Sequence, residues 1–170
     1  MIYMVEITIG DPVVEIEWNA WYATYLKVLL GLPGFQTGQR FKIPGSSRAQ
    51  YMAMYTVASP AVFESAQYKA AGGGGNASAR FRPAYKDWRR NLFEAPGPAP
   101  NVPEGHVLLV ADRPSPGGAP FDWLTTVGLH KTTPFRGLAV LPATESAGFA
   151  SPDQGSLTLY APITPQLSAA

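Results

Sequence analysis

Cysteine is missing from the 170 residues, which excludes disulfides, thiolate metal centres and a cysteine nucleophile. Histidine is nearly as scarce. His106 and His130 are the two imidazoles and neither sits in a spaced ligand motif, so a metal site would have to be assembled from scattered carboxylates. An excess of charge of one sign is absent as well: thirteen Lys and Arg against twelve Asp and Glu leave +1, and the longest basic run is the pair Arg89-Arg90. A balanced surface lacks the basic stripe that phosphate backbones require, so nucleic acid is not an expected partner. No apolar run approaches the roughly 18 residues of a membrane span, so no membrane is expected either. The start, Met1 to Ile7, has no basic region and carries Glu6 inside its apolar run; it reads as a strand, not a leader, and the cytoplasm is the expected compartment.

What is present is 46% hydrophobic, enough to bury one sizeable core. Glycine and proline, seventeen of each, cluster at joints. Residues 2 to 9 alternate, with Tyr3, Val5, Ile7 and Ile9 on one face and Glu6 and Thr8 on the other. Asp11-Pro12 supplies a helix cap followed by a first-turn proline. Trp18, Trp21, Tyr25, Val28, Leu29 and Leu32 then form one stripe. Phe35 to Ile43 and Gln50 to Ala58 read as strands joined by Pro44-Gly45-Ser46-Ser47. Ser59-Pro60 opens a second predicted helix that Gly72 to Gly75 ends, and Asp87 to Ala95 reads as a fourth strand. The order is β-α-β-β-α-β, and the fold class is α+β.

Residues 1–95 thus form one predicted unit, 96–104 a proline-rich connector, and 105–170 a partial second copy: strand from His106, helix Phe121 to His130, strand Phe135 to Leu141, strand Ser156 to Ile163. One interval separates Trp18 from Trp123, Tyr55 from Tyr160 and Pro60 from Pro165, which carries the repeat. On this reading the second copy lacks its final helix and strand.

Asn19-Ala20-Trp21-Tyr22, Leu29 to Phe35, Arg40-Phe41, Tyr51 to Tyr55 and Ser59 to Ser65 resemble the EthD-like branch of the dimeric α+β barrel superfamily. The resemblance implies ferredoxin-like antiparallel sheets that face each other as a barrel, with helices outside. It also implies company with cofactor-independent oxygenases, muconolactone isomerases and haem-binding peroxidases. Members often carry a histidine in the first helix; Ala23 to Lys27 has none.

With helices over the Tyr3 face, Glu6 points into the barrel, where a carboxylate needs a partner: it is a candidate general base, or is salt-bridged to Arg40 or Arg90. His106 is a second acid-base candidate, and Arg40 a stabiliser of developing negative charge. Tyr51, Tyr55 and Tyr160 share an expected interior parity and, with Trp88, would hold an aromatic ring, the alternative being simple core packing. His130, at the end of its predicted helix, fits the helix dipole. Gly72 to Gly75 reads as a hinge that carries Arg80, Phe81, Arg82 and Tyr85 over the barrel mouth, or as a surface loop. Together these give an enzyme acting without cofactor on a small hydrophobic ligand by acid-base chemistry, or else a non-catalytic binding or structural module; haem chemistry would need an imidazole facing the barrel. A homodimer is expected, because a half-built second sheet leaves an edge uncovered.

Overall fold

The computed structural model describes residues 1–46, 49–113, 120–149 and 157–169. In chain order its elements are β1 (Ile2–Ile9), α1 (Pro12–Leu30), β2 (Phe35–Lys42), β3 (Ala49–Val57), α2 (Ala66–Ala70), β4 (Tyr85–Glu94), β5 (His106–Ala111), β6 (Asp122–Leu129), β7 (Phe135–Pro142), β8 (Leu157–Pro162) and β9 (Leu167–Ser168), with short 3-10 turns between. The strands run β3-β1-β4-β6-β7-β5-β8-β2, and β2 pairs with β3 to close the ring; every pairing is antiparallel. Both faces of β1 and β3 are buried, so two cores result. Tyr3, Val5, Ile7 and Ile9 pack beneath α1, while Ile2, Met4, Phe41, Met52, Met54, Phe93, Leu108, Val110, Leu124 and Leu138 fill the barrel.

α1 starts where expected: the Asp11 carboxylate accepts from the Val13 and Val14 backbone N–H groups, and Pro12 occupies the first turn. Its buried stripe is Trp18, Tyr22, Leu26, Leu29 and Leu30. The expected Val28 is on the solvent side, because the sheet selects a track rotated from the one the aromatic spacing suggests. The second helix begins later than Ser59-Pro60 indicates. Residues Pro60–Glu64 are a 3-10 turn, and Ser65 is the cap, its hydroxyl accepting from the Tyr68 N–H.

Residues beyond the connector differ most from expectation. The predicted helix 121–130 is strand β6. Thr125, Thr126 and Val127 are β-branched, and Leu124 points into the barrel at 2% exposure while Trp123 stands outside at 40%. Trp18, buried on a helix, and Trp123, exposed on a strand, are therefore not equivalent. Nor are Tyr55 on β3 and Tyr160 on β8, so the equal spacing is coincidental. The second segment contributes four strands of the ring, β6-β7-β5-β8, with the short β9 beside β2, and no α-helix among the described residues. It lacks helices, not its last strand. The edges that motivated a homodimer are paired within the chain, β4 with β6 and β2 with β8. Among the described residues no helix is long and apolar enough to cross a membrane.

The connector is a stopper. Ala99 and Val102 enter the lower end of the barrel, and the buried Gln39 side chain satisfies the backbone of Val102 and Thr164: Nε2 donates to the Val102 carbonyl at 2.7 Å and to that of Thr164 at 3.0 Å, while Oε1 accepts from the Val102 N–H at 3.1 Å. Gln39→Leu leaves these backbone groups buried without partners, so a loss of about 2–3 kcal/mol is expected. A urea midpoint equal to that of the wild type would refute the stopper.

Candidate functional site

At the upper end of the barrel Glu6 faces inward, as its parity requires, but its partner is Arg136 rather than Arg40 or Arg90. Arg136 Nη1 lies 2.8 Å from Glu6 Oε2, and Nη2 lies 2.9 Å from Asp112 Oδ1. The Tyr160 hydroxyl donates to Glu6 Oε1 at 3.3 Å. Burial disfavours the Arg136 cation, but Glu6 and Asp112 outweigh it and hold its pKa above the ordinary value. Burial also drives the Tyr160 phenol well above its ordinary pKa, with the Glu6 charge acting in the same direction. Met4, Phe93, Met52 and Leu108 lie beneath this layer at 1% exposure or less. The cluster caps a packed interior, and its groups are committed to one another.

The remaining predicted residues are dispersed. Tyr51 and Tyr55 are not inside the barrel: β3 sets Tyr51 opposite Ile7 and Tyr55 opposite Tyr3, which puts both in the core under α1. Tyr160 alone of the three is interior. Arg40 is also beneath α1, its guanidinium donating to Asn19 Oδ1 at 2.6 Å and lying 4.6 Å from the Tyr22 ring centroid and 5.1 Å from that of Trp18. Near it Tyr51 donates to Glu15, which is ion-paired with Lys42. His106 is at the lower rim, its Nδ1 3.4 Å from the Glu104 carbonyl, in a groove of about 840 Å³. Glu104 and His106 are the only ionisable groups among that groove's described lining residues. Glu6 and His106 are thus at opposite ends of the barrel and cannot share a ligand. His130 follows a strand, not a helix, so no dipole acts on it.

A different set of groups converges on the outer face of β1 and β4. The glycine-rich stretch 72–75 and the 3-10 turn Ala79–Ala84 do not reach the barrel mouth; with α1 they fold over this face. The enclosed space is lined by Trp21, Tyr22 and Tyr25 from α1, Tyr3 from β1, Trp88 and Arg90 from β4, and Tyr68, Gly74, Gly75, Ser78 and Tyr85. Trp21 stacks on Tyr25 at 4.8 Å, Trp18 Nε1 donates to the Tyr85 hydroxyl at 2.9 Å, and the Gly74 N–H donates to that of Tyr68 at 3.1 Å. Burial pushes the Tyr22 phenol up to about 12 and raises Tyr3, Tyr25 and Tyr85, so these hydroxyls stay protonated at neutral pH and can donate hydrogen bonds. Behind Trp88 stands His130, with ring centroids 5.4 Å apart and Arg90 against both ring nitrogens. Burial first, and the Arg90 charge second, lower the His130 pKa and keep the imidazole neutral.

As it stands the space is about 40 Å³, room for a few waters and not for an aromatic ring. Its cover is the glycine-rich stretch 72–75. Gly72, Gly74 and Gly75 have left-handed φ of 78°, 71° and 91°, and a Cβ on Gly75 would lie 2.7 Å from the Trp88 ring, so only glycine closes the lid this tightly. Trp88 was expected to hold a ring and lies in this cleft. The other lining aromatics look like ordinary helix core in the sequence; the tyrosine density of the first 90 residues was the available signal. Among the described residues no group of three His, Asp or Glu is arranged to hold a metal ion.

No protein-family model matches the sequence, and no curated protein matches it either. Among solved structures the chain is similar to one described as "Crystal structure study of anthrone oxidase-like protein", with a TM-score of 0.65 and 11% identity over 99% of this chain and 93% of the other. What the two share is the fold, and this chain is accordingly an α+β protein built on a closed antiparallel barrel with few helices.

Proposed function

We propose that this chain is a small-molecule enzyme that takes a flat, hydrophobic aromatic carbonyl or phenolic compound into the cleft between α1, β1/β4 and the lid, and acts on it by cofactor-independent proton transfer. The convergence of phenols, two indoles and one guanidinium on a single space carries the reading. Trp21 and Trp88 offer faces for stacking, and the protonated phenols and Arg90 offer hydrogen bonds to an oxygen that gains charge as the substrate enolises. His130, neutral and behind Trp88, does not line the closed cleft; it is assigned the proton in an open form in which the ligand displaces Arg90 from its ring nitrogen. Glu6 faces the other side of the sheet and receives no role here.

The likeness in fold to an anthrone oxidase-like protein supports the substrate class, since an anthrone is a flat tricyclic ketone whose enol is a phenol. The order β4-β1-β3-β2 with α1 on one face supports a ferredoxin-like first unit, and its EthD-like affiliation belongs to the same proposal. In aerobic buffer one anthrone and one O2 give anthraquinone and water. Oxygen uptake above the uncatalysed rate is expected, with kcat about 10²-fold lower in His130→Gln and ring binding retained. Uptake at the uncatalysed rate would sink the enzymatic reading. The closed cleft favours the second reading, a non-catalytic structural protein with the barrel as its core, and absence of both turnover and tryptophan quenching by anthrone would select it.

A further inference from the structure

Two guanidiniums flank the Trp88 ring: Arg82 Cζ is 4.5 Å and Arg90 Cζ 5.1 Å from its centroid. Among the described residues both have only neutral partners. Arg82 donates to the Gly74 carbonyl at 3.3 Å, and Arg90 contacts the uncharged His130. Other cations do meet carboxylates, Arg80 with Glu17, Arg89 with Asp87, Lys42 with Glu15 and Arg136 with Glu6, whereas Arg40 beneath α1 is held by Asn19 and by aromatic rings. Among the described residues no carboxylate lies within ion-pair distance of Arg82 or Arg90, and none lines the cleft. Asp87, close in sequence, is on the opposite face of β4 and is held by Arg89. The cleft edge is therefore a stacking platform with two positive charges and no acid, facing hydroxyls that donate.

From this we infer that the ligand of the cleft is an anionic aromatic: a fused-ring carboxylate, or a polyphenol ionised at neutral pH, whose ring lies by Trp88 and whose negative group is held by Arg82 and Arg90. The inference rests on the cleft being the binding site and adds the charge of what it binds. Guanidinium pairs with planar oxyanions through parallel hydrogen bonds, and such charge-assisted bonds are about twice as strong as neutral ones. Arg90 already acts on the cleft electrostatically, opposing the upward shifts of Tyr3 and Tyr25.

The experiment compares anthraquinone-2-carboxylate with 2-(hydroxymethyl)anthraquinone, the same ring without charge, by quenching of tryptophan fluorescence. The carboxylate is expected to bind about tenfold more tightly, with the preference shrinking as salt rises from about 0.05 to about 0.5 M. Arg82→Gln/Arg90→Gln should bring the two compounds to equal affinity, and Arg90→Lys should keep part of the preference. Equal binding of both compounds to the wild type, or a preference that survives the double substitution, would overturn the inference and leave the cleft intact as a site. Failure of both compounds to bind would remove the cleft itself.

Discussion

Arg136→Ala should unfold this protein at a temperature about 10 °C below the wild type, a loss of about 3–5 kcal/mol. The side chain is 2% exposed and closes two ion pairs at once, with Glu6 and Asp112. Its removal leaves the Glu6 carboxylate, 16% exposed, with the Tyr160 hydroxyl as its one remaining partner, and opens a hole over Met4 and Phe93. The penalty comes from the stranded charge more than from the lost attraction, so Glu6→Gln/Arg136→Met should recover most of it. Guanidinium denaturation of the wild type and both variants at pH 7 provides the measurement. If the double variant were as unstable as Arg136→Ala, packing rather than charge would be the reason the arginine is there. Oxygen uptake should be unaffected in the double variant, since the cluster is on the far side of the sheet from the cleft.

Base should unfold the protein cooperatively, and late. Burial raises the phenols of Tyr3, Tyr22, Tyr25, Tyr55, Tyr85 and Tyr160, Tyr22 to about 12, whereas in the unfolded chain they titrate near about 10. Above pH 10 the folded protein holds protons that the unfolded chain has released. The stabilisation is thus complete below about pH 10 and is lost as pH rises through the folded-state values, by about 1.4 kcal/mol per pH unit for each phenol. For Tyr22 alone the loss is about 3 kcal/mol by pH 12. Tyrosinate absorbance at 295 nm should lag behind pH 10 and then rise in one step, coincident with loss of the far-ultraviolet circular dichroism signal. A smooth titration centred at pH 10 with the dichroism unchanged would contradict the burial of these rings.

Much of the first 95 residues was legible because its signals are local. The Asp11-Pro12 cap, the Gly34 and Gly45 turns and the alternation of β1 each depend on a few adjacent residues, and they led to Glu6 inside the barrel. Tyr51 and Tyr55 were misplaced for a definite physical reason. Both faces of β3 are buried, one by α1 and one by the opposite wall, so residues Tyr51 to Val57 are apolar or buried throughout, and alternation cannot say which face is which. Only the register against β1, Tyr51 to Ile7 and Tyr55 to Tyr3, decides it. Arg136 was passed over because a lone arginine in a strand has the appearance of a solvated side chain. Its two carboxylates come from β1 and from the end of β5, 130 and 24 residues away.

By itself the sequence determined the chemistry available: no thiol, two imidazoles, a balanced charge, strands with two apolar faces and a first half dense in tyrosine. Tertiary structure decided everything that depends on which strand lies beside which. It closed the barrel within one chain, made 122–129 a strand, tied Glu6 to Arg136, and brought Arg82 and Arg90 to Trp88 under a glycine lid. The reason is that hydrogen-bond register and burial are properties of pairs of distant segments, while propensity and capping are properties of neighbours.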